Sequence, residues 1–255
     1  MIPARKTPLF NRWFAGHARS RIEQSFSVLY VRGLREVQAA SAGAPLLLLA
    51  NHTAWWDPLV AIHLSNHVLG LDAFAMMDAK NLERLPFFAK VGAFGVDLAS
   101  ASDGASVVRY AVKLLSAPGR AVWVFPQGAE RPVTEPLAFR GGAAAIARVA
   151  KTAIALPVGL RYEMAGEERP HLYVSFGPEI PRSRDVEQVR LAQEAAVGTE
   201  LGIIERAVRG DRSGFEAVYR SRPARGALLA ERLLASLTRS HEAPRLPEAS
   251  RDDRT

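Results

Sequence analysis

The apolar positions of this chain change period along its length, and that change outlines the fold. Over residues 8–33, Phe10, Trp13, Phe14, Ala18, Ile22, Phe26, Leu29 and Tyr30 recur at three- and four-residue spacing, with Arg12, Arg19 and Glu23 elsewhere on the wheel. That spacing predicts an amphipathic helix, which either packs on the core or lies at a membrane interface with its aromatic residues beside arginines. From residue 45 onward, short apolar runs alternate with helical patterns. Strands are predicted at 45–50, 73–77, 93–98, 121–125, 154–160 and 171–176. Helices are predicted near 58–66, 81–90, 104–116, 141–151, 185–208 and 214–239.

Strand–helix alternation implies an α/β fold, a mixed and mostly parallel sheet flanked by helices. The organisation expected is an N-terminal amphipathic helical lead (1–40), an α/β core (41–182), a C-terminal helical extension (183–240) and a disordered tail (241–255). No apolar stretch approaches the roughly 20 residues of a membrane span, and no signal peptide is evident.

Charge and composition narrow the partners. Thirty-three Lys and Arg against 26 Asp and Glu give a net charge of +7, which favours anionic partners. No dense basic block or nucleic-acid module accompanies it, so an anionic membrane surface or substrate is expected and nucleic acid is not. The chain has no cysteine, which excludes disulfides, thiolate nucleophiles and cysteine metal sites.

The chemistry gathers after the run Leu46-Leu47-Leu48-Leu49-Ala50, where Asn51-His52-Thr53-Ala54-Trp55-Trp56-Asp57 places an imidazole five residues before a carboxylate. A buried strand ending in such a pair delivers a base to a site at its carboxyl edge, and the carboxylate fixes the tautomer of the ring. Trp55 and Trp56, between them, either plug the core or wall an apolar channel. A second apolar strand ends in Phe125-Pro126-Gln127-Gly128, where proline ends ladder bonding and glycine allows a sharp turn.

Other chemistries find less support. His63 and His67 are four apart but lack the glutamate of His-Glu-x-x-His and an evident third ligand, so no metal is expected. A serine hydrolase would need Gly-x-Ser-x-Gly, and neither that nor a phosphate loop or dinucleotide fingerprint occurs.

Taken in order, these segments resemble the glycerolipid acyltransferase family, which includes lysophosphatidic acid acyltransferases. The family's Asn-His-x4-Asp is matched by Asn51, His52 and Asp57. Its Lys…Leu…Pro-Phe segment is matched by Lys80, Leu82 and Pro86-Phe87, followed by the glycine-led strand Gly92–Asp97. Its Phe-Pro-Glu-Gly corresponds to Phe125–Gly128, its Phe-basic-Gly to Phe139-Arg140-Gly141, and its Pro-Val strand to Pro157-Val158. There are departures: Leu98 stands where the family has an arginine, Gln127 where it has a glutamate, and Ala129-Glu130 where it has Thr-Arg, with Arg131 one residue late.

The resemblance implies fatty acyl transfer from acyl-CoA or acyl-ACP, as co-substrate, to a lipid hydroxyl, with no further cofactor. It implies His52 as general base, Asp57 as its orienting partner, and an oxyanion held by backbone amides after His52 or around Gly128. Substrate contacts are expected from Asn51, Lys80, Phe125, Pro126, Gln127, Gly128, Arg131 and Arg140. The acceptor implied is a lysophospholipid. The lost arginine leaves a phosphate-free acceptor such as a glycolipid, or a non-catalytic lipid-binding homologue, as alternatives. The enzyme is expected as a peripheral membrane protein at the cytoplasmic face.

Overall fold

The structure is a computed structural model that describes residues 1–97 and 101–221. Residues Met1–Arg220 form one compact unit. Its elements, in chain order, are α1 (Pro8–Ser25), β1 (Val28–Arg32), α2 (Leu34–Gly43), β2 (Leu46–Ala50), α3 (Asp57–His63), β3 (Asp72–Asp78), α4 (Ala79–Arg84), β4 (Ala93–Val96), α5 (Ala101–Leu114), β5 (Arg120–Val124), α6 (Gly142–Val149), β6 (Ile154–Glu163), β7 (His171–Phe176), α7 (Val186–Val208) and β8 (Phe215–Arg220).

The eight strands make one sheet in the order β4-β3-β5-β2-β6-β7-β1-β8. The pairs β6–β7 and β1–β8 are antiparallel, and every other neighbouring pair is parallel. The sheet is therefore mixed and mostly parallel, as the alternation implied. Strand β2 lies between β5 and β6 and is buried along its whole length. An uninterrupted leucine run suits that place, because a central parallel strand is covered on both faces. One apolar core, with Ile22, Phe26 and Trp123, fills one face. A second, with Phe94, Ala143 and Val197, fills the other.

Three expectations are corrected. The helix predicted over 8–33 ends at Ser25, and Val28–Arg32 is a strand paired with β7 and β8. The run Val28–Val31 is continuously apolar with two β-branched valines, so Leu29 and Tyr30 matched the helical spacing by chance while their setting suits a buried strand. Gly33 then turns the chain at φ +77°, and a Cβ there would lie 2.4 Å from the Phe176 carbonyl oxygen.

The second correction concerns the helix predicted at 81–90, which breaks at Pro86 into α4 and a 3₁₀ segment over Pro86–Val91. Proline has no N–H to donate and disfavours helical backbone in Leu85, whose φ is −128°. Thirdly, the helix predicted over 214–239 opens with strand β8, where Phe215 and Tyr219 are half-buried and the three residues between them are exposed. Its remainder from 222 and the tail from 241 lie outside the described residues. Because β1 and β8 belong to the same sheet as the strands of 41–182, the boundaries at 40/41 and 182/183 do not separate structural bodies. Helix α2 was not foreseen.

Candidate active site

Parallel strands aim their carboxyl ends at one edge of the sheet, and the chemistry gathers there. Strand β2 ends at Ala50, and Asn51 is buried directly after it. Its side chain donates to the Leu160 carbonyl (2.9 Å) and accepts from the Leu160 N–H (2.7 Å), extending the β2–β6 ladder by one residue. Both ends of that amide are occupied by the Leu160 backbone, so Asn51 ties the start of the turn to β6.

His52 follows, with Nδ1 2.7 Å from Asp57 Oδ2 and a side chain 18% exposed against 0% for the carboxylate. Asp57 opens α3, where the helix dipole favours an anion. Its Oδ2 also accepts from the backbone N–H groups of Thr53 (2.8 Å) and Ala54 (3.0 Å), and its Oδ1 accepts from the Tyr162 hydroxyl. A buried carboxylate held by this many donors is fixed in its orientation. Burial, then the charge and the hydrogen bond of Asp57, raise the Tyr162 pKa well above its ordinary value of 10.0, with Glu130 adding to the effect. Tyr162 therefore remains a donor at any physiological pH. Sequence reasoning missed it, since the predicted strand stopped at 160 and the contact spans 105 residues.

The Phe125–Gly128 turn meets this loop. Phe125 packs on the His52 ring with centroids 4.8 Å apart. Gln127 is buried and its Oε1 accepts the His52 backbone N–H at 2.7 Å. That bond ties the His52 backbone to the turn. Pro126 is buried, and its carbonyl accepts the Arg140 N–H at 2.9 Å. Gly128 has φ +72°, and a Cβ there would lie 2.9 Å from Arg140 Nε, so the turn needs glycine twice over. The Arg131 N–H donates to the His52 carbonyl (2.9 Å), while its exposed side chain pairs with Glu135 at 3.3 Å.

His52 lines a cavity of about 580 Å³, a size typical of small-molecule sites. Its wall is mainly apolar, with Ile62, Phe74, Met76, Phe88, Trp123 and Phe125 among the lining side chains. A π-helical turn over Leu64–Val68 widens α3 at this wall, and Ser65 there accepts from Trp123 Nε1 at 2.9 Å. The two tryptophans divide the alternatives. Trp56 packs edge-on against Phe26 in the core, whereas Trp55 is 55% exposed and lines the cavity.

Lys80, Arg131 and Arg140 do not line this cavity. Among the described residues its wall holds no Lys or Arg, and the side chains of Asp78 and Glu130 are its carboxylates. Leu98 lies outside the described residues. The amides expected to bind an oxyanion are also in use. Thr53 and Ala54 donate to Asp57, and Gly128 donates to the Phe125 carbonyl. His63 is buried, with its ring centroid 5.6 Å from that of His67, and burial lowers its pKa from 6.5 to about 4, helped by His67 and Arg19 against Glu23.

A histidine–aspartate pair at the carboxyl edge of a mostly parallel sheet, over an apolar cavity, defines a protein built to act on a group with a hydrocarbon part. The Acyltransferase family profile matches residues 28–161, just over half of the chain, from the first residue of β1 into β6. The chain belongs to this acyltransferase family and is an acyltransferase. Its fold is similar to the crystal structure of the 1-acyl-sn-glycerophosphate (LPA) acyltransferase PlsC from Thermotoga maritima. The TM-score is 0.56 at 13% identity, over 76% of this chain and 79% of that one. No curated protein sequence matches the chain.

Proposed function

We propose that this protein moves a fatty acyl group from an acyl thioester, acyl-CoA or acyl-ACP, to the hydroxyl of a lipid acceptor, with His52 as the general base. The observation that carries the reading is the His52–Asp57 pair. With Nδ1–H committed to a buried carboxylate, Nε2 carries the lone pair, on the side of the ring away from Asp57. Nε2 takes the acceptor's hydroxyl proton, the oxygen attacks the thioester carbonyl, and Asp57 stabilises the imidazolium. The thiolate then leaves with that proton, and base assistance contributes on the order of 10²–10⁴-fold. The acyl chain lies along the apolar wall. The oxyanion is assigned to the backbone amides of Ala129 and Glu130, which line the cavity beside Gly128.

Family membership favours a lysophospholipid acceptor. The charge of the cavity wall favours a second reading, an acceptor without a phosphate near the reacting hydroxyl, because Asp78 and Glu130 would repel one. A mass-spectrometric screen offering lysophosphatidate, other lysolipids and glycolipids decides between them. In the same assay His52→Ala should abolish transfer while leaving the melting temperature unchanged. Retention of even a tenth of wild-type turnover would refute the base role.

Peripheral membrane contact completes the proposal. Helix α1 buries Phe14, Ala15, Ala18 and Ile22 against the core and leaves two large apolar side chains exposed in its first half, Leu9 (80%) and Trp13 (64%), beside the exposed Arg12. Trp55 and Leu85, on the cavity wall, are exposed as well. Among the described residues no helix is long and apolar enough to cross a membrane. Aromatic and aliphatic side chains of this kind, on a chain of net charge +7, suit an anionic bilayer surface. The double variant Leu9→Ser, Trp13→Ser should float with anionic vesicles much less than the wild type. Equal flotation would reject α1 as the contact.

A further inference from the structure

A second cavity, about 560 Å³, lies at the opposite edge of the sheet from His52. It opens at the amino ends of β2 and β6, beside Leu47, Ala153 and Ala155, between the end of α6 and the start of α7. Leu47 and His52 are five residues apart along an extended strand, roughly 16 Å. The cavity is therefore separate from the catalytic one.

Its construction has two parts. The floor is apolar except for Gln193. That residue belongs to the core-facing stripe of α7, with Val189 and Val197, and is fully buried. Neither Nε2 nor Oε1 of its carboxamide has a hydrogen-bond partner in the protein. A leucine would fill the same position without burying an unpaired donor and acceptor, so the amide is unexplained by packing.

The rim is cationic, with Arg148, Lys151, Arg182 and Arg184. Arg182 is occupied: it donates to the carbonyls of Ala153 (2.8 Å) and Lys151 and faces Glu179 at 3.8 Å. The other nearby carboxylates are occupied too. Asp185 caps α7 through the Glu187 and Gln188 amides, and Glu187 pairs with Arg190. Arg148, Lys151 and Arg184 are left without an ion pair among the described residues, around a cavity whose lining includes Gln193.

A ligand that satisfies both parts has a flat, mostly apolar body with an adjacent donor and acceptor at its inner edge, and an anionic group at its outer end. Adenine presents that edge through N6–H and a ring nitrogen, and a glutamine amide pairs with it in bidentate fashion. Phosphates meet the rim. We propose that this cavity binds an adenine nucleotide, base inward on Gln193 and phosphates on Arg148, Lys151 and Arg184. The same chemistry has two sources, a free nucleotide or the phosphorylated adenosine end of coenzyme A.

Titration of the full-length protein with a fluorescent N-methylanthraniloyl-ADP, its label on the ribose, tests this, with ADP, coenzyme A, adenosine and pyrophosphate as competitors. ADP should compete at least about tenfold better than adenosine or pyrophosphate, since each of those lacks half of the recognition. Gln193→Leu should melt no lower than the wild type yet bind the probe at least about tenfold more weakly. Lys151→Ala with Arg184→Ala should weaken ADP while leaving adenosine unchanged. Displacement by coenzyme A that is lost in Gln193→Leu assigns the coenzyme A source, and displacement by ADP alone assigns the free nucleotide. The proposal is overturned if the probe shows no saturable binding at millimolar concentration. It is equally overturned if the folded Gln193→Leu binds as the wild type does, or if pyrophosphate competes as well as ADP.

Discussion

Replacing Asp57 with asparagine separates the charge of the carboxylate beside His52 from its geometry. Three N–H donors converge on Oδ2, from His52 (2.7 Å), Thr53 (2.8 Å) and Ala54 (3.0 Å), while the Tyr162 hydroxyl donates to Oδ1. An asparagine that places its amide oxygen at the Oδ2 position accepts all three. Its NH₂ then occupies the Oδ1 position and donates to Tyr162, whose hydroxyl turns to accept. Each retained bond weakens as the acceptor loses its charge, by up to about 1 kcal/mol. Against this, the cost of burying an ionised carboxylate disappears. Net destabilisation should stay below about 2 kcal/mol, a shift of a few degrees in melting temperature.

Catalysis should suffer far more. A carboxylate whose charge lies about 4 Å from an imidazolium stabilises it by about 4 kcal/mol at an effective dielectric constant near 20. Losing that at the transition state slows turnover by about 10³-fold. Asp57→Ala serves as contrast, because it strands three buried N–H groups and should lose stability as well as activity. Thermal melts paired with steady-state acyl transfer make the test. An Asp57→Asn enzyme with a native melting temperature and turnover within tenfold of wild type would show that the charge is not needed, and with it His52 would lose its place as a base that becomes positively charged.

Two further predictions concern neighbouring groups. Gln127→Leu leaves the His52 N–H buried without its acceptor. It should cost about 1–3 kcal/mol in urea unfolding and, by loosening the base, lower turnover by about tenfold or more; unchanged kinetics would mean that the loop holds His52 without Gln127. His63, its pKa lowered to about 4 from 6.5 by burial, favours the fold above pH 6.5 and loses that contribution as the pH falls towards 4. The loss amounts to about 3 kcal/mol at 1.36 kcal/mol per pH unit, so His63→Leu should lose less stability than the wild type between pH 7 and pH 4.5, and identical acid melts would contradict it.

What could be read from the chain followed the range of the interactions involved. The leucine run of β2 announced a central strand because its whole environment is apolar, and Asp57 could be paired with His52 because the contact closes within one short loop. Contacts between distant segments left no such trace. Tyr162 reaches Asp57 from a strand whose last residues alternate too weakly to be counted, and the end of α1 was lost because an apolar run can satisfy two periods at once. The expected cationic residues stand off the cavity wall for a related reason. Position in a motif says that Lys80, Arg131 and Arg140 stand near the site in the chain, whereas entry into the cavity depends on how α4 and the loop after Gly128 turn.

Gln127 shows the difference most clearly. As a letter it is a departure from Phe-Pro-Glu-Gly. As a side chain it offers an sp² oxygen at the same reach as glutamate, and that oxygen receives the His52 N–H at 2.7 Å. An amide oxygen meets that geometric demand as a carboxylate oxygen would, without adding a second buried anion beside Asp57. The exchange thus preserves the position of His52 and removes only a charge. It therefore argues for a functioning site, and against the lipid-binding alternative that the sequence had left open.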